Sequence, residues 1–218
     1  MLILDKKPKS MAAESFRTLR TNIQYASVDE EYRVISITSS EPAEGKTTVS
    51  CNLAFALAQG EESVLLIDCD LRKPSIHKKL RLSNEKGLSE LLSRKKEISD
   101  VMQRYSQNLV VISSGKTPPN PSEMLGSKAM KQLLEEVKGH FDYVVLDTPP
   151  LGVVTDAQIL STKVDGTIVV VRAGVTKKDV VKNSIDMLKK VNGNIIGTVL
   201  NGVEVPKNKY YNYYGDME

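Results

Sequence analysis

Residues 39–48 read "SSEPAEGKTT": Ser39, Ser40, Glu41, Pro42, Ala43, Glu44, Gly45, Lys46, Thr47, Thr48. The apolar run "VISI" from Val34 precedes them, and Val49, Leu53 and Leu57 follow on one face of a helix that ends before Gly60. Strand, loop, Gly-Lys-Thr and helix in this order are the context of a P-loop. In such a loop, backbone N–H groups gather phosphate oxygens, the lysine ammonium reaches the β and γ oxygens, and the following hydroxyl takes Mg²⁺. Residues 40–48 are therefore expected to contact nucleotide, with ATP and Mg²⁺ as cofactors. The general pattern G-x-x-x-x-G-K-S/T has Ser40 in place of its first glycine and keeps Gly45.

Outward from this loop, five further runs rich in β-branched residues follow: "VLLID" from Val64, "LVVIS" from Leu109, "YVVLD" from Tyr143, "TIVVV" from Thr167 and "IIGTVLN" from Ile195. They are nearly continuously apolar, the pattern of strands covered on both faces. Helical signals fill the intervals. Met130, Leu133, Leu134 and Val137 recur at i, i+3, i+4 and i+7, with Gly139 as a C-terminal stop, and Val181, Ile185 and Leu188 repeat the pattern. The fold class expected is α/β: a P-loop NTPase-like, mostly parallel β-sheet with helices on both faces.

Sheets of this kind bind ligands at the carboxyl ends of their strands. The second run ends "VLLIDCDLRKP", delivering Asp68 and Asp70 two residues apart on one side of an extended backbone, and the fourth ends "VVLDTPP", delivering Asp147. Three carboxylates at the ends of strands flanking the P-loop strand would gather a hard cation with its waters beside the phosphates. The candidate metal set is Thr47, Asp68, Asp70 and Asp147.

The bulk numbers narrow the remainder. At 218 residues the default is a single domain spanning 1–218. Thirty Lys and Arg against 27 acids give a net charge of +3, too small and too evenly mixed for a nucleic-acid footprint. "MLILDKKPKS" is no secretory h-region and no run is long enough to span a bilayer, so a soluble, cytoplasmic protein is expected. Cys51 and Cys69, with His77 and His140, lack zinc-ligand spacing and read as small buried residues. Two segments lie outside the strand and helix periodicity: an N-terminal helical element at about 10–27 and a tail at about 205–218. That tail, ending "YYNYYGDME", holds four of the chain's eight tyrosines.

The motifs together resemble the bacterial tyrosine kinases tied to capsule and exopolysaccharide synthesis. "SSEPAEGKTT" is similar to their Walker A, in which serine at the first glycine is usual, "LLIDCDLRKP" to their Walker A′, and "VVLDTPP" to their Walker B. "PPNPSEML" at 118–125, "ESFRTLRTN" at 14–22 and the tyrosine-rich tail complete the resemblance over nearly the whole chain. It implies an ATP-dependent protein-tyrosine kinase. Lys46 and Thr47 would hold phosphates and Mg²⁺, Asp70 and Asp147 would support the metal directly or through water, and Asp68 would be general base to the incoming tyrosine. Tyr210, Tyr211, Tyr213 and Tyr214 become expected autophosphorylation sites. Ala43 stands where the family commonly has glycine; if that position needs φ > 0, alanine costs about 1 kcal/mol.

The resemblance implies partners as well. Glu14, Arg17 and Arg20 recur at spacings of three, so they line one side of a helix, either as a solvated, salt-bridged face or, as in similar proteins, docking on a neighbouring subunit to build a ring. In such a ring one protomer's tail enters the next protomer's active site. Family members without spans depend on a separate transmembrane modulator, implying peripheral membrane association, and the modified tail implies a cognate tyrosine phosphatase. Asn201 sits either where related proteins contact adenine or as a turn residue before Gly202. The rival reading is a partitioning ATPase of the MinD/ParA kind, a dimer switch without tyrosine kinase activity. Those proteins carry an extra lysine early in the P-loop, where this chain has Glu41, and no basic amphipathic helix closes the chain.

Overall fold

The computed structural model describes residues 2–26 and 31–204. In chain order the elements are α1 (Ile3–Lys6), α2 (Met11–Gln24), β1 (Val34–Ser39), α3 (Lys46–Ala58), β2 (Val64–Asp68), α4 (Ile76–Leu80), α5 (Leu88–Leu92), α6 (Ile98–Val101) and β3 (Met102–Arg104). They continue with β4 (Leu109–Ile112), α7 (Pro121–Gly126), α8 (Lys128–Lys138), β5 (Tyr143–Asp147), α9 (Asp156–Ser161), β6 (Gly166–Arg172), α10 (Lys178–Lys190) and β7 (Ile195–Asn201).

The strands form one seven-stranded sheet in the order β3-β4-β2-β5-β1-β6-β7. All neighbours are parallel except β3, which runs antiparallel to β4 along the edge. The six apolar runs are thus all strands; β3 is the addition. Its three residues Met-Gln-Arg carry no β-branched side chain and lie only partly buried, so periodicity has nothing to register there. A second difference concerns the neighbours of β1, which are β5 and β6, while β2 lies one place further out beyond β5. Asp147 therefore comes from a strand beside the P-loop strand, and Asp68 from the strand after that, in register with it.

Continuous apolar strands follow from burial on both sides. Ile35, Ile37, Leu66, Val111 and Val145 pack on α3 through Leu53 and Leu57, while Val34, Leu65, Ile67, Val144 and Leu146 pack on the opposite layer with Leu88, Met130 and Leu134. Successive side chains alternate faces, so every position in β1, β2 and β5 apart from Tyr143 is buried. Truncating one of these leucines to alanine costs about 2–5 kcal/mol.

Helix ends follow local chemistry. Ser10 caps α2 by accepting from the Ala13 N–H at 3.2 Å, and Ser127 caps α8 from the Met130 N–H at 3.2 Å. Met130, Leu133, Leu134 and Val137 all face the core, as their spacing predicts. Gly139 follows α8 with right-handed backbone angles, φ −76° and ψ −17°, so the helix ends there without the left-handed stop that glycine allows. On α10, Leu188 is buried and Val181 and Ile185 are half-buried. Among the described residues, no helix is long and apolar enough to cross a membrane.

Candidate active site

The P-loop leaves β1 at its carboxyl end and closes into α3. Gly45 adopts φ +98°, the left-handed turn that ends the loop, and the Val49 N–H bonds back to its carbonyl at 3.0 Å. A helix's first turn leaves amides without intrahelical partners, so the start of α3 is a ready anion site. Ala43 also sits at positive φ, +65°, so the alanine does carry the strain of a glycine position.

Glu44 shapes the loop from within. Its side chain is buried; one carboxylate oxygen accepts from the Glu41 N–H at 2.9 Å and the other from the Thr176 hydroxyl. Its carbonyl accepts from Asn201 Nδ2 at 2.8 Å. Asn201 thus reaches the P-loop from the end of β7, beyond the role of a turn residue. Glu41, Pro42 and Ala43 are exposed on the outer rim.

The acidic residues converge on the start of α3. Lys46 Nζ donates to Asp70 Oδ2 at 2.8 Å, and Thr47 Oγ1 donates to Asp147 Oδ2 at 2.6 Å. Ser50 Oγ lies 2.9 Å from both Asp147 Oδ1 and the Lys46 carbonyl, and Ser75 Oγ donates to Thr47 Oγ1 at 3.0 Å. Lys79 Nζ reaches Thr48 Oγ1 at 2.7 Å. Asp68 is fully buried and accepts from the Ser75 and Ile76 N–H groups at 3.1 and 3.0 Å and from the Asp70 N–H at 3.2 Å. Ser50 and Ser75 were absent from the candidate set. Ser50 had a signal, since it lies one helical turn beyond Lys46; Ser75 sits in an irregular loop with none.

Charge is crowded here. Burial pushes the Asp68 carboxyl up to about 7, helped by the Asp147 carboxylate, against the pull of its backbone bonds. Burial also raises Asp147, opposed by Lys46 and the Thr47 and Ser50 hydroxyls. For Lys46, burial works against the ammonium, but Asp147 and Asp70 outweigh it and hold the lysine charged. The thiols of Cys51 and Cys69 are buried and pushed well up, mainly by desolvation, which keeps them inert.

A raised carboxyl pKa means that the fold favours the protonated form. Its contribution to stability is complete below the unfolded value near 4 and is lost as the pH rises through about 7. Without nucleotide and metal, the protein is expected to melt a few degrees lower on the alkaline side of that value. Asp68→Asn should flatten the slope, as thermal denaturation across pH would show.

The arrangement fits a magnesium nucleotide. Ser40 Oγ is buried without a hydrogen-bond partner among the described residues, at the start of a loop that packs so tightly under the Asn201 amide that a Cβ on Gly45 would collide with it. The nearby groups are a lysine ammonium, two threonine hydroxyls and carboxylates. Among the described residues no three His, Cys, Asp or Glu side chains cage an ion. That donor set suits Mg²⁺, which takes one or two protein oxygens and fills its octahedron with water and phosphate.

The N-terminal element is partly turned inward. Arg17 pairs with Glu14 and donates to the Pro8 carbonyl at 2.9 Å. Arg20 Nη1 donates to the Ala56 carbonyl at 2.9 Å, putting a cation at the carboxyl end of α3, where the helix dipole favours it. Of the element expected at about 10–27, Ser27 lies outside the described residues, as do Tyr210, Tyr211, Tyr213 and Tyr214.

A central parallel sheet with a Gly-Lys-Thr loop at the carboxyl end of its inner strand defines a P-loop NTPase. The family model described as "ParA: NUBPL iron-transfer P-loop NTPase" matches residues 31–212. The tyrosine-protein kinase YwqD of Bacillus subtilis (strain 168) is 42% identical over 213 residues, covering 97% of this chain and 90% of the relative. The chimerical protein CapA2B2 superposes with a TM-score of 0.89 at 37% identity, over 94% of this chain and 90% of that one. The kinase domain of Escherichia coli tyrosine kinase ETK does so with a TM-score of 0.89 at 40% identity, over 92% and 79%. Within the P-loop NTPases, the chain belongs to the family of bacterial tyrosine-protein kinases.

Proposed function

We propose that this protein transfers the γ-phosphoryl group of ATP to tyrosine hydroxyls, beginning with Tyr210, Tyr211, Tyr213 and Tyr214 of its own tail. The observation that carries the reading is the meeting of Lys46, Thr47, Asp68, Asp70 and Asp147 at one end of the sheet. Lys46 neutralises the phosphate oxygens, exchanging its Asp70 partner for the nucleotide. Thr47 would hold the metal, with Asp70 and Asp147 supporting it directly or through water. Mg²⁺, when bound, would supply neutralisation of the phosphate charge. Asp68 accepts the phenolic proton as the tyrosine oxygen bonds to phosphorus and ADP departs. A phenol ionises near pH 10, so a positioned base is what makes it a nucleophile at neutral pH.

Self-association through the face bearing Glu14 would bring one protomer's tail to its neighbour's site in a ring. Each phosphate adds nearly two negative charges, so a multiply modified tail is repelled by the acidic cleft and the ring comes apart. A transmembrane modulator would hold the kinase at the membrane, a phosphatase would reset the tail, and the cycle would regulate capsular or exopolysaccharide synthesis and export. Asn201, already bonded to the P-loop, would border the adenine. Mass spectrometry after incubation with MgATP tests the central claim: phosphate is expected on the tail tyrosines. Hydrolysis of ATP with every tyrosine unmodified would overturn it in favour of a ParA-like switch.

A further inference from the structure

Three loops surround Asp68 at the carboxyl end of the sheet, because β2 lies between β4 and β5. They span 69–75 after β2, 113–120 after β4 and 148–155 after β5. One buried carboxylate ties the first loop to α7 and α9, the helices that the other two lead into. Asp156, at the start of α9, is fully buried. Its Oδ2 accepts from Arg72 Nε at 2.9 Å, and its Oδ1 accepts from Arg72 Nη2 at 3.1 Å and from Ser122 Oγ at 2.6 Å. Arg72 Nη2 also lies 2.9 Å from Ser122 Oγ, closing the ring. These hydrogen bonds join the three residues to one another and none reaches the P-loop.

A buried carboxylate is tolerated only when bonded this fully, and a two-pronged Arg–carboxylate pair fixes direction as well as distance. Arg72 stands two residues beyond Asp70, and the next residue, Lys73, donates its N–H to Asp70 Oδ1 at 3.0 Å. The Arg72 side chain stays 38% exposed. The ring thus fixes the segments that follow β2, β4 and β5 relative to one another at the end of the sheet that carries Asp68.

We infer that Arg72, Ser122 and Asp156 are positioning residues for the phosphoryl acceptor: they fix the wall along which a tyrosine side chain reaches Asp68. The inference rests on the kinase reading above. It predicts a split between the two substrates, since the nucleotide is held by the P-loop and the acceptor by the tied segments.

The test uses the full chain, MgATP and a synthetic peptide of residues 205–218 as separate acceptor. Arg72→Met should raise the KM for the peptide about tenfold and leave the KM for ATP and the rate of ATP hydrolysis within about twofold. Ser122→Ala, which spares the Arg72–Asp156 pair and hence the fold, should move the peptide KM about threefold in the same direction. Arg72→Lys should recover part of the loss, because it restores the charge without the two-pronged contact. An unchanged peptide KM in both Arg72→Met and Ser122→Ala, or peptide and ATP KM rising together, would overturn the inference while wild-type phosphotyrosine formation keeps the kinase reading. Absence of phosphotyrosine in the wild type would overturn both.

Discussion

Lys46→Met is expected to lower phosphotyrosine formation by at least about 10²–10³-fold. Methionine keeps the unbranched apolar stem and drops the ammonium, so Asp68, Asp70 and Asp147 confront the triphosphate with no lysine between them. Phosphoryl transfer depends on positioning and charge neutralisation more than on proton removal, which makes this loss larger than that of the base. The same substitution strips Asp70, whose side chain is only 5% exposed, of its ion-pair partner, so the thermal midpoint should fall while the helix content is kept. An anti-phosphotyrosine time course and a circular-dichroism melt read the two effects. Activity near the wild-type level would mean that the phosphates are neutralised from elsewhere.

Gly45→Ala should weaken nucleotide binding about 100-fold, from three contributions that a relaxed loop must overcome when nucleotide restores its conformation. At φ +98° an alanine is strained by about 1 kcal/mol, and its Cβ would run into the Asn201 amide, breaking a hydrogen bond to Glu44 worth about another 1 kcal/mol. The remainder follows from turning the first amides of α3 away from the phosphates; about 2.7 kcal/mol corresponds to two decades in Kd. Gly174→Ala is the matched control. Its φ of +70° imposes similar strain with nothing within 4 Å of the new Cβ, so magnesium–ADP titration calorimetry should give the wild-type affinity. Equal losses in both variants would mean that backbone strain alone governs the site.

The sequence revealed what rests on local pattern. Strands buried on both faces spell continuous apolar runs, and a Gly-Lys-Thr between strand and helix can be read without knowing the sheet order. Order itself was harder: that β5 stands between β1 and β2 depends on long-range pairing, and nothing in Val64–Asp68 or Tyr143–Asp147 announces it. The edge strand β3 escaped because three half-exposed residues have no period. Thr176 and Ser75 escaped for a related reason: a hydroxyl in a loop acquires its partner only when distant segments meet, and the partner of Ser122, on α7, is fixed in the same way. Arg20 shows the converse. Its spacing with Glu14 and Arg17 placed it on one helical stripe, yet its guanidinium turns to the Ala56 carbonyl, because the end of a helix attracts a cation.

The sheet order also governs how this chain emerges from a ribosome. The strand that carries the P-loop finds its first neighbour only when residues 143–147 arrive, and its second with 166–172. Until then "VISITS" waits without a strand on either side, a nascent intermediate liable to stick to its like or to call on a chaperone. Halting translation after residue 138 should yield a protease-sensitive chain; release after residue 204 should yield a resistant one.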